Sequence, residues 1–183
     1  MVAKLVQSMG VNIGHDLPVN LEDSRFNFDF LPFENSEQKI ESISHSIRLI
    51  NKTCNVWGWK YPKSVIYLES IWSELVNPHL LCIFRDPLLI SYRNIVKRST
   101  EPYKTIRNAV NLQQKNINFL QKHQEVPQFL CSYEKVLQDP SLFVQSLAKF
   151  LCFEFTNKSE VENFSKLVNP LDGYKSNKFH ASK

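Results

Sequence analysis

Glycine is scarce in this chain: 183 residues contain four glycines, and the first of them is Gly10. No Gly-x-x-x-x-Gly-Lys-Ser/Thr segment occurs, which disfavours a phosphoryl-transfer kinase of the P-loop type. No apolar run approaches the roughly 20 residues that a membrane-spanning helix needs. The N-terminus also lacks the apolar core and cleavage site of a signal peptide. We therefore expect a cytoplasmic protein without a membrane span.

The cysteines follow no disulfide or metal pattern. Cys54, Cys82, Cys131 and Cys152 stand among apolar neighbours, without a CxxC pair or a His/Cys cluster at metal-ligand spacing. We expect buried, reduced thiols and no metal site. The formal net charge of +4 is too small to indicate a nucleic-acid partner. A local anion-binding site explains that excess of positive charge equally well.

Helical patterns alternate with short apolar runs along the chain, which is long enough for a single domain over residues 1–183. An ordered loop rich in aromatic residues and carboxylates is expected at 20–35. Helices are predicted at 1–9, 36–51 with Ser36 as the cap, from the turn after Lys60 to about 77, 87–98, 102–124 and 140–151. Strands are predicted at 55–59, 80–84 and 128–132. Strands separated by helices indicate an α/β fold, a three-layer sandwich with a central parallel sheet.

The apolar run 80–84 ends abruptly in Arg85, Asp86 and Pro87. This pattern predicts a buried strand that brings Arg85 to its C-terminal end, where a helix begins. Ligands of open α/β sheets bind at the carboxyl ends of the strands, so an arginine at that place can meet an anion such as a phosphate. The alternative is that Arg85 pairs with Asp86 or another carboxylate nearby.

Polar residues also follow the other two predicted strands. Lys60 comes after the strand at 55–59, and Tyr133 and Glu134 come after the strand at 128–132. The carboxyl ends of parallel strands lie at one edge of a sheet, so we expect Lys60 and Arg85 to converge on one polyanion. In the alternative, Lys60 is simply solvated.

Four short motifs, in this order and spacing, resemble those of the sulfotransferases that use 3′-phosphoadenosine-5′-phosphosulfate (PAPS). They are Trp-Gly-Trp-Lys-Tyr-Pro at 57–62, Ile-Phe-Arg-Asp-Pro at 83–87, the segment 129–140, and the end of an apolar helix at 148–151. The resemblance to this bacterial-type family extends from residue 1 to about residue 178. It implies a P-loop-like α/β fold, no metal, PAPS as donor, and a carbohydrate or other small hydroxyl acceptor.

The resemblance also implies a set of nucleotide contacts. Arg85 corresponds to the arginine that binds the 3′-phosphate of the nucleotide. Its usual partner is a serine eight residues later, where this chain has Arg93. The nearest serine is Ser91, which on a helix faces roughly the opposite way from position 93. We therefore favour Arg93 as the second phosphate contact, with Lys97 one turn further on the same face. Lys175 lies in a segment that resembles a C-terminal loop closing over the nucleotide.

The catalytic residues implied by the resemblance are fewer. Lys60 is similar to a lysine that stabilises the charge on the sulfuryl group and its leaving phosphate. The acceptor hydroxyl needs a general base, and His15 and Asp16 fall where relatives place one. The alternative is that Asp16 only binds the turn after Gly14. The loop at 26–34 is predicted to be a hydrophobic lid, with lining of an acceptor site as the alternative.

The family's first strand and its Ser-Gly-Thr loop, which cradles the 5′-phosphosulfate, have no counterpart in the sequence. Residues 1–5 resemble the helix that follows that loop. Two interpretations therefore stand: a sulfotransferase, or a non-catalytic binding or scaffold protein that lacks the loop. A missing central strand would also leave an unpaired sheet edge, through which a homo-oligomer could form.

Overall fold

The structure, a computed structural model, describes residues 1–15 and 17–168, without the side chains of Arg93, Lys97 and Arg98. The helices are α1 (Val2–Ser8), α2 (Ser36–Asn51), α3 (Leu68–Ile71), α4 (Pro87–Arg98), α5 (Pro102–Lys122), α6 (Tyr133–Gln138), α7 (Pro140–Phe150) and α8 (Lys158–Lys166). The strands are β1 (Leu80–Phe84) and β2 (Gln128–Ser132). No helix within the described ranges is long and apolar enough to cross a bilayer.

The two strands form a parallel sheet, and α4 and α5 make the connection between them. Leu80 lies opposite Gln128, and Phe84 lies opposite Ser132. Both strands have the predicted bounds, and the expected α/β class is confirmed. In the described part of the chain the sheet has two strands. The carboxyl ends of both strands, and the residues that follow them, therefore lie side by side.

The predicted strand at 55–59 is wrong. The segment forms one isolated parallel bridge, between Asn12 and Trp57. The reason lies in the side chains, because the rings of Trp57 and Trp59 stack with each other and with Phe26. Their indole N–H groups donate to Asn51 and to the Tyr67 hydroxyl. Trp57 and Trp59 therefore pack in a cluster of aromatic rings and do not form part of a sheet.

Other bounds also differ from the prediction. The helix expected after Lys60 is broken into a 3-10 turn at Ser64–Ile66, the short α3, and a second 3-10 turn at Trp72–Glu74. The cap of α2 is Asn35 and not Ser36, since the Asn35 side chain accepts the Gln38 N–H at 2.8 Å. The helix α6, which directly follows β2, was not predicted.

Two apolar clusters hold the fold. The sheet cluster lies between β1, β2 and the helices α1, α6, α7 and α8; its buried members are Val2, Leu5, Met9, Val136, Phe143, Val144, Leu147, Ala148 and Val168. The aromatic cluster joins α2 and α3 to the loop before α2; its buried members are Phe26, Ile43, Ile47, Tyr61, Tyr67 and Ile71. The apolar face expected on the helix at 140–151 thus packs against the sheet.

The cysteines are reduced, but they are less buried than expected. Cys54, Cys82 and Cys131 are half-buried, and Cys152 is exposed. Cys82 lies opposite Leu130 and Cys131 lies opposite Ile83 in the sheet, and burial raises the pKa of each thiol to about 11. Their sulfur atoms are therefore protonated and unreactive at neutral pH. Cys82 and Cys131 are only half-buried because the sheet is small and neither of its strands is covered on all sides.

Candidate functional site

Arg85 occupies the carboxyl end of β1, where strand pairing stops and α4 begins. Its guanidinium lies over the ring of Tyr133, 4.7 Å from the centroid. Its carbonyl oxygen accepts a hydrogen bond from Gln113 Nε2 of α5 at 2.6 Å. Because Tyr133 directly follows β2, the carboxyl ends of these two parallel strands lie at one edge of the sheet, as the sequence predicted. The backbone and the side chain of Arg85 are both anchored to rigid elements.

Glu134 ties the ends of the two strands together. One carboxylate oxygen accepts the Asp86 N–H at 3.1 Å, and the other accepts the Ser132 hydroxyl at 2.9 Å. Burial alone would raise the pKa of Glu134, but these hydrogen bonds and the charge of Arg85 lower it below its ordinary value. The charge of Arg85 therefore acts on the Glu134 carboxylate, and whether Arg85 pairs with a carboxylate or binds an anion remains a prediction.

The start of α4 is built from local hydrogen bonds. Asp86 caps the helix by accepting the Leu88 N–H at 2.7 Å, and Pro87 stands in the first turn. Ser91 is fully buried, and its hydroxyl donates to the Pro87 carbonyl at 2.7 Å. This placement does not favour a phosphate contact for Ser91.

Three of the predicted nucleotide contacts have side chains outside the described part of the structure. Arg93 and Lys97 lie on α4, but their side chains are outside the described part of the structure. Lys175 is outside the described residues altogether. Their assignment remains a prediction.

Lys60 lies in a different environment from Arg85. Its ammonium forms an ion pair with Glu22 and also donates to the Asn20 carbonyl at 3.3 Å. The pKa of the Met1 amino group is lowered by burial and then by the charges of Lys60 and Lys4, so Lys60 lies near the start of α1. The convergence of Lys60 with Arg85 on one anion remains a prediction.

A small cavity of about 100 Å³ lies between the turn after α1 and the aromatic cluster. The buried carboxylate of Asp23 forms its polar wall together with Arg25, which donates to it at 2.6 to 3.1 Å. This hydrogen-bonded pair raises the pKa of Arg25 further above its usual value. Cys54 also lines the cavity, and its sulfur accepts from Asn12 Nδ2 at 3.2 Å.

His15 lies exposed among the residues that line this cavity. Asp16, the other predicted base, is outside the described residues. A histidine beside a polar cavity can take a proton from a bound hydroxyl group. No group of three or more His, Cys, Asp or Glu side chains placed to hold a metal ion occurs within residues 1–15 and 17–168.

Sequence reasoning missed two parts of this arrangement. Gln113 fixes the Arg85 carbonyl from 28 positions away, and no local pattern indicates such a contact. The second is the Asp23–Arg25 pair that lines the cavity. Asp23 caps the 3-10 turn Ser24–Phe26, and aspartate before such a turn was the one local indication of this pair. Only the folded chain shows that this cap also faces Gly14.

Comparison of the chain with protein-family models, with curated proteins and with solved structures found no match.

Proposed function

We propose that the chain is a sulfotransferase-like protein that binds PAPS and transfers its sulfuryl group to a hydroxyl of a carbohydrate or other small acceptor. The observation that carries the proposal is the fixed position of Arg85 at the carboxyl end of β1, over Tyr133 and beside the start of α4. We infer that PAPS is the donor from the resemblance of the four motifs to those of PAPS-dependent sulfotransferases. The same proposal includes a three-layer, P-loop-like sandwich.

Arg85 suits a phosphate monoester better than a lysine would. Its planar guanidinium can donate two parallel hydrogen bonds to one phosphate group. Contact with the Tyr133 ring restricts the side chain, so less rotational freedom is lost when the phosphate binds. Arg93 and Lys97, six and ten residues beyond Pro87 on α4, would add positive charge near the 3′-phosphate. These features support recognition of a nucleotide that carries a 3′-phosphate.

Transfer would require that the nucleotide bound at Arg85 reach an acceptor held in the cavity beside His15. The acceptor oxygen attacks the sulfur atom, the bond from sulfur to the 5′-phosphate oxygen breaks, and the acceptor proton passes to His15 or Asp16. The 3′-phosphoadenosine-5′-phosphate leaves with the electron pair of the broken bond. Lys60 would stabilise the charge that builds on that oxygen. Its present partner, Glu22, would have to release it or hold it beside the phosphate.

The alternative function is nucleotide binding without transfer, as in a scaffold protein. The ion pair between Lys60 and Glu22 favours it, because a lysine neutralised by a carboxylate stabilises an anion less. Both functions require Arg85, and they differ in whether the sulfuryl group moves.

The direct test is calorimetric titration of the protein with 3′-phosphoadenosine-5′-phosphate and, in parallel, with adenosine 5′-phosphate. We expect tighter binding of the nucleotide that has the 3′-phosphate. Equal affinities, or no binding by a folded protein, would overturn the proposal. Incubation of the protein with radiolabelled PAPS and a panel of sugars then separates the two functions. Label found in an acceptor indicates transfer, and bound but unreacted PAPS indicates the scaffold.

A further inference from the structure

The positive charge of the molecule is concentrated in the hairpin of α4 and α5. Residues 87–122 contain seven of the 22 basic residues of the chain and one of its 18 acidic residues, Glu101. The rest of the chain therefore carries a negative formal charge. Of the hairpin's described cations, Lys122 pairs with Glu69, whereas Lys104, Arg107 and Lys115 form no ion pair with any described residue.

The same two helices expose large apolar side chains. On α4 these are Leu88, Tyr92 and Val96, spaced four residues apart; on α5 they are Tyr103, Val110 and Ile117, spaced seven apart. Both spacings place the residues of a helix along one face. Tyr103 is 79% exposed, and Val96 and Leu88 are about as exposed as each other, at 60% and 59%. Each helix thus presents an apolar stripe to solvent, and we call these two stripes, together with the exposed Lys104, Arg107 and Lys115, the hairpin surface.

The charge on this surface limits what can cover it. A second copy of the chain that docks hairpin against hairpin would bring two basic surfaces together, and that contact is electrostatically unfavourable. The occupant is therefore anionic. It must also accept apolar side chains, which the sugar-phosphate backbone of a nucleic acid does not do.

The exposure of these apolar side chains favours a lipid bilayer over a folded acidic protein. Side chains that are half or more exposed project from the helices, as Leu88, Val96 and Tyr103 do. Projecting apolar groups can enter a fluid acyl layer without a matching pocket. Tyrosines, with an apolar ring and a polar hydroxyl, suit the boundary between headgroups and acyl chains. Basic residues on the same helices then meet anionic headgroups.

We propose that the hairpin surface binds peripherally to membranes that contain anionic lipids. The stripes on α4 and α5 enter the headgroup boundary, and Lys104, Arg107 and Lys115 contact the anionic headgroups. Each basic residue near such a surface contributes about a fivefold gain in affinity. Neither the apolar contact nor the charge contact alone is sufficient for binding. Neutral lipid lacks the charge, and a soluble polyanion lacks the apolar layer. This proposal is independent of the proposed function.

The test is flotation of the full chain with vesicles of phosphatidylcholine that contain about 30% phosphatidylserine, beside vesicles of phosphatidylcholine alone. We expect binding to the anionic vesicles only, and weaker binding as salt is added. The triple variant Lys104→Gln, Arg107→Gln, Lys115→Gln should bind about 100-fold more weakly. These three side chains are exposed and unpaired in the described structure, so the fold should persist, as circular dichroism can verify.

The apolar part is tested by the variant Tyr103→Ser, Val110→Ser. We expect it to bind anionic vesicles about tenfold or more weakly. The matched control is Val19→Ser, Leu142→Ser, which removes exposed apolar side chains elsewhere and should bind like the parent. Equal weakening by both double variants would overturn the proposal. The proposal would also be overturned if the parent protein failed to bind anionic vesicles but bound polyglutamate or duplex DNA, because its anionic partner would then be soluble.

Discussion

The hydroxyl of Tyr67 holds the wall of the His15 cavity in place. Tyr67 is fully buried, and its hydroxyl donates to the Phe26 carbonyl at 2.8 Å and accepts from Trp59 Nε1 at 2.9 Å. Phe26 lines the cavity, and Trp59 stacks on Phe26. The substitution Tyr67→Phe removes one oxygen atom and leaves the ring. It therefore tests these two hydrogen bonds without opening a large space.

The magnitude follows from the groups left without a partner. A buried donor or acceptor that loses its hydrogen bond costs about 1–3 kcal/mol. The Phe26 carbonyl is deeply buried, whereas the indole of Trp59 is half-buried and can reach water. We expect Tyr67→Phe to lower the free energy of unfolding by about 2–4 kcal/mol. Tyr92→Phe, which removes an exposed hydroxyl on α4, should change it by less than about 0.5 kcal/mol.

Urea denaturation, followed by tryptophan fluorescence, measures both variants. Burial raises the pKa of Tyr67 above its ordinary value of 10.0, so the folded state favours the neutral phenol. The resulting stability is present below about pH 10 and is lost as the pH rises above it. The Phe variant should lack that alkaline loss. A Tyr67→Phe protein as stable as Tyr92→Phe would refute the reasoning.

Two further predictions concern the neighbourhood of the site. Glu134→Gln should lower the free energy of unfolding by about 1 kcal/mol at neutral pH, because the Asp86 N–H then meets an uncharged acceptor. As the folded pKa of Glu134 is lowered, the parent should lose this advantage as the pH falls below about 4.5, and stabilities that stay parallel down to pH 3 would contradict the assignment. Gly14→Ala should destabilise more than Gly10→Ala in thermal unfolding, since both have a positive φ but a Cβ at Gly14 would lie 2.7 Å from Asp23 Oδ2. Equal melting temperatures would show that the contact relaxes at no cost.

The elements around Arg85 could be predicted because their signals are local. An apolar run of five residues that ends in Arg85 gave β1, and Asp86 with Pro87 marked the start of α4 by a cap and a fixed backbone angle. Glu101 with Pro102 marks α5 in the same way. Each of these signals lies within a few residues of the boundary that it sets.

The parts that escaped prediction depend on contacts between distant residues. The segment 55–59 has strand-forming residues, but the stacking of Trp57 and Trp59 on Phe26 decides its conformation. The pairing of Lys60 with Glu22 joins residues 38 positions apart. No spacing rule along the chain indicates such pairs, so the environment of Lys60 could be learned only from the fold.

The central claim is that Arg85 binds the 3′-phosphate of the nucleotide. The most direct measurement is a thermodynamic cycle by calorimetry, with 3′-phosphoadenosine-5′-phosphate and adenosine 5′-phosphate titrated into the parent, Arg85→Ala and Arg85→Lys. Arg48→Ala, which removes a guanidinium on α2, is the matched control.

We predict a coupling free energy of about 1.5–3 kcal/mol between the 3′-phosphate and the Arg85 side chain, which corresponds to about 10- to 150-fold in affinity. Arg85→Lys should retain part of it, because a point charge remains while the bidentate contact is lost. Arg48→Ala should retain all of it. An Arg85→Ala protein that is folded and still prefers the 3′-phosphorylated nucleotide as strongly as the parent does would contradict the account.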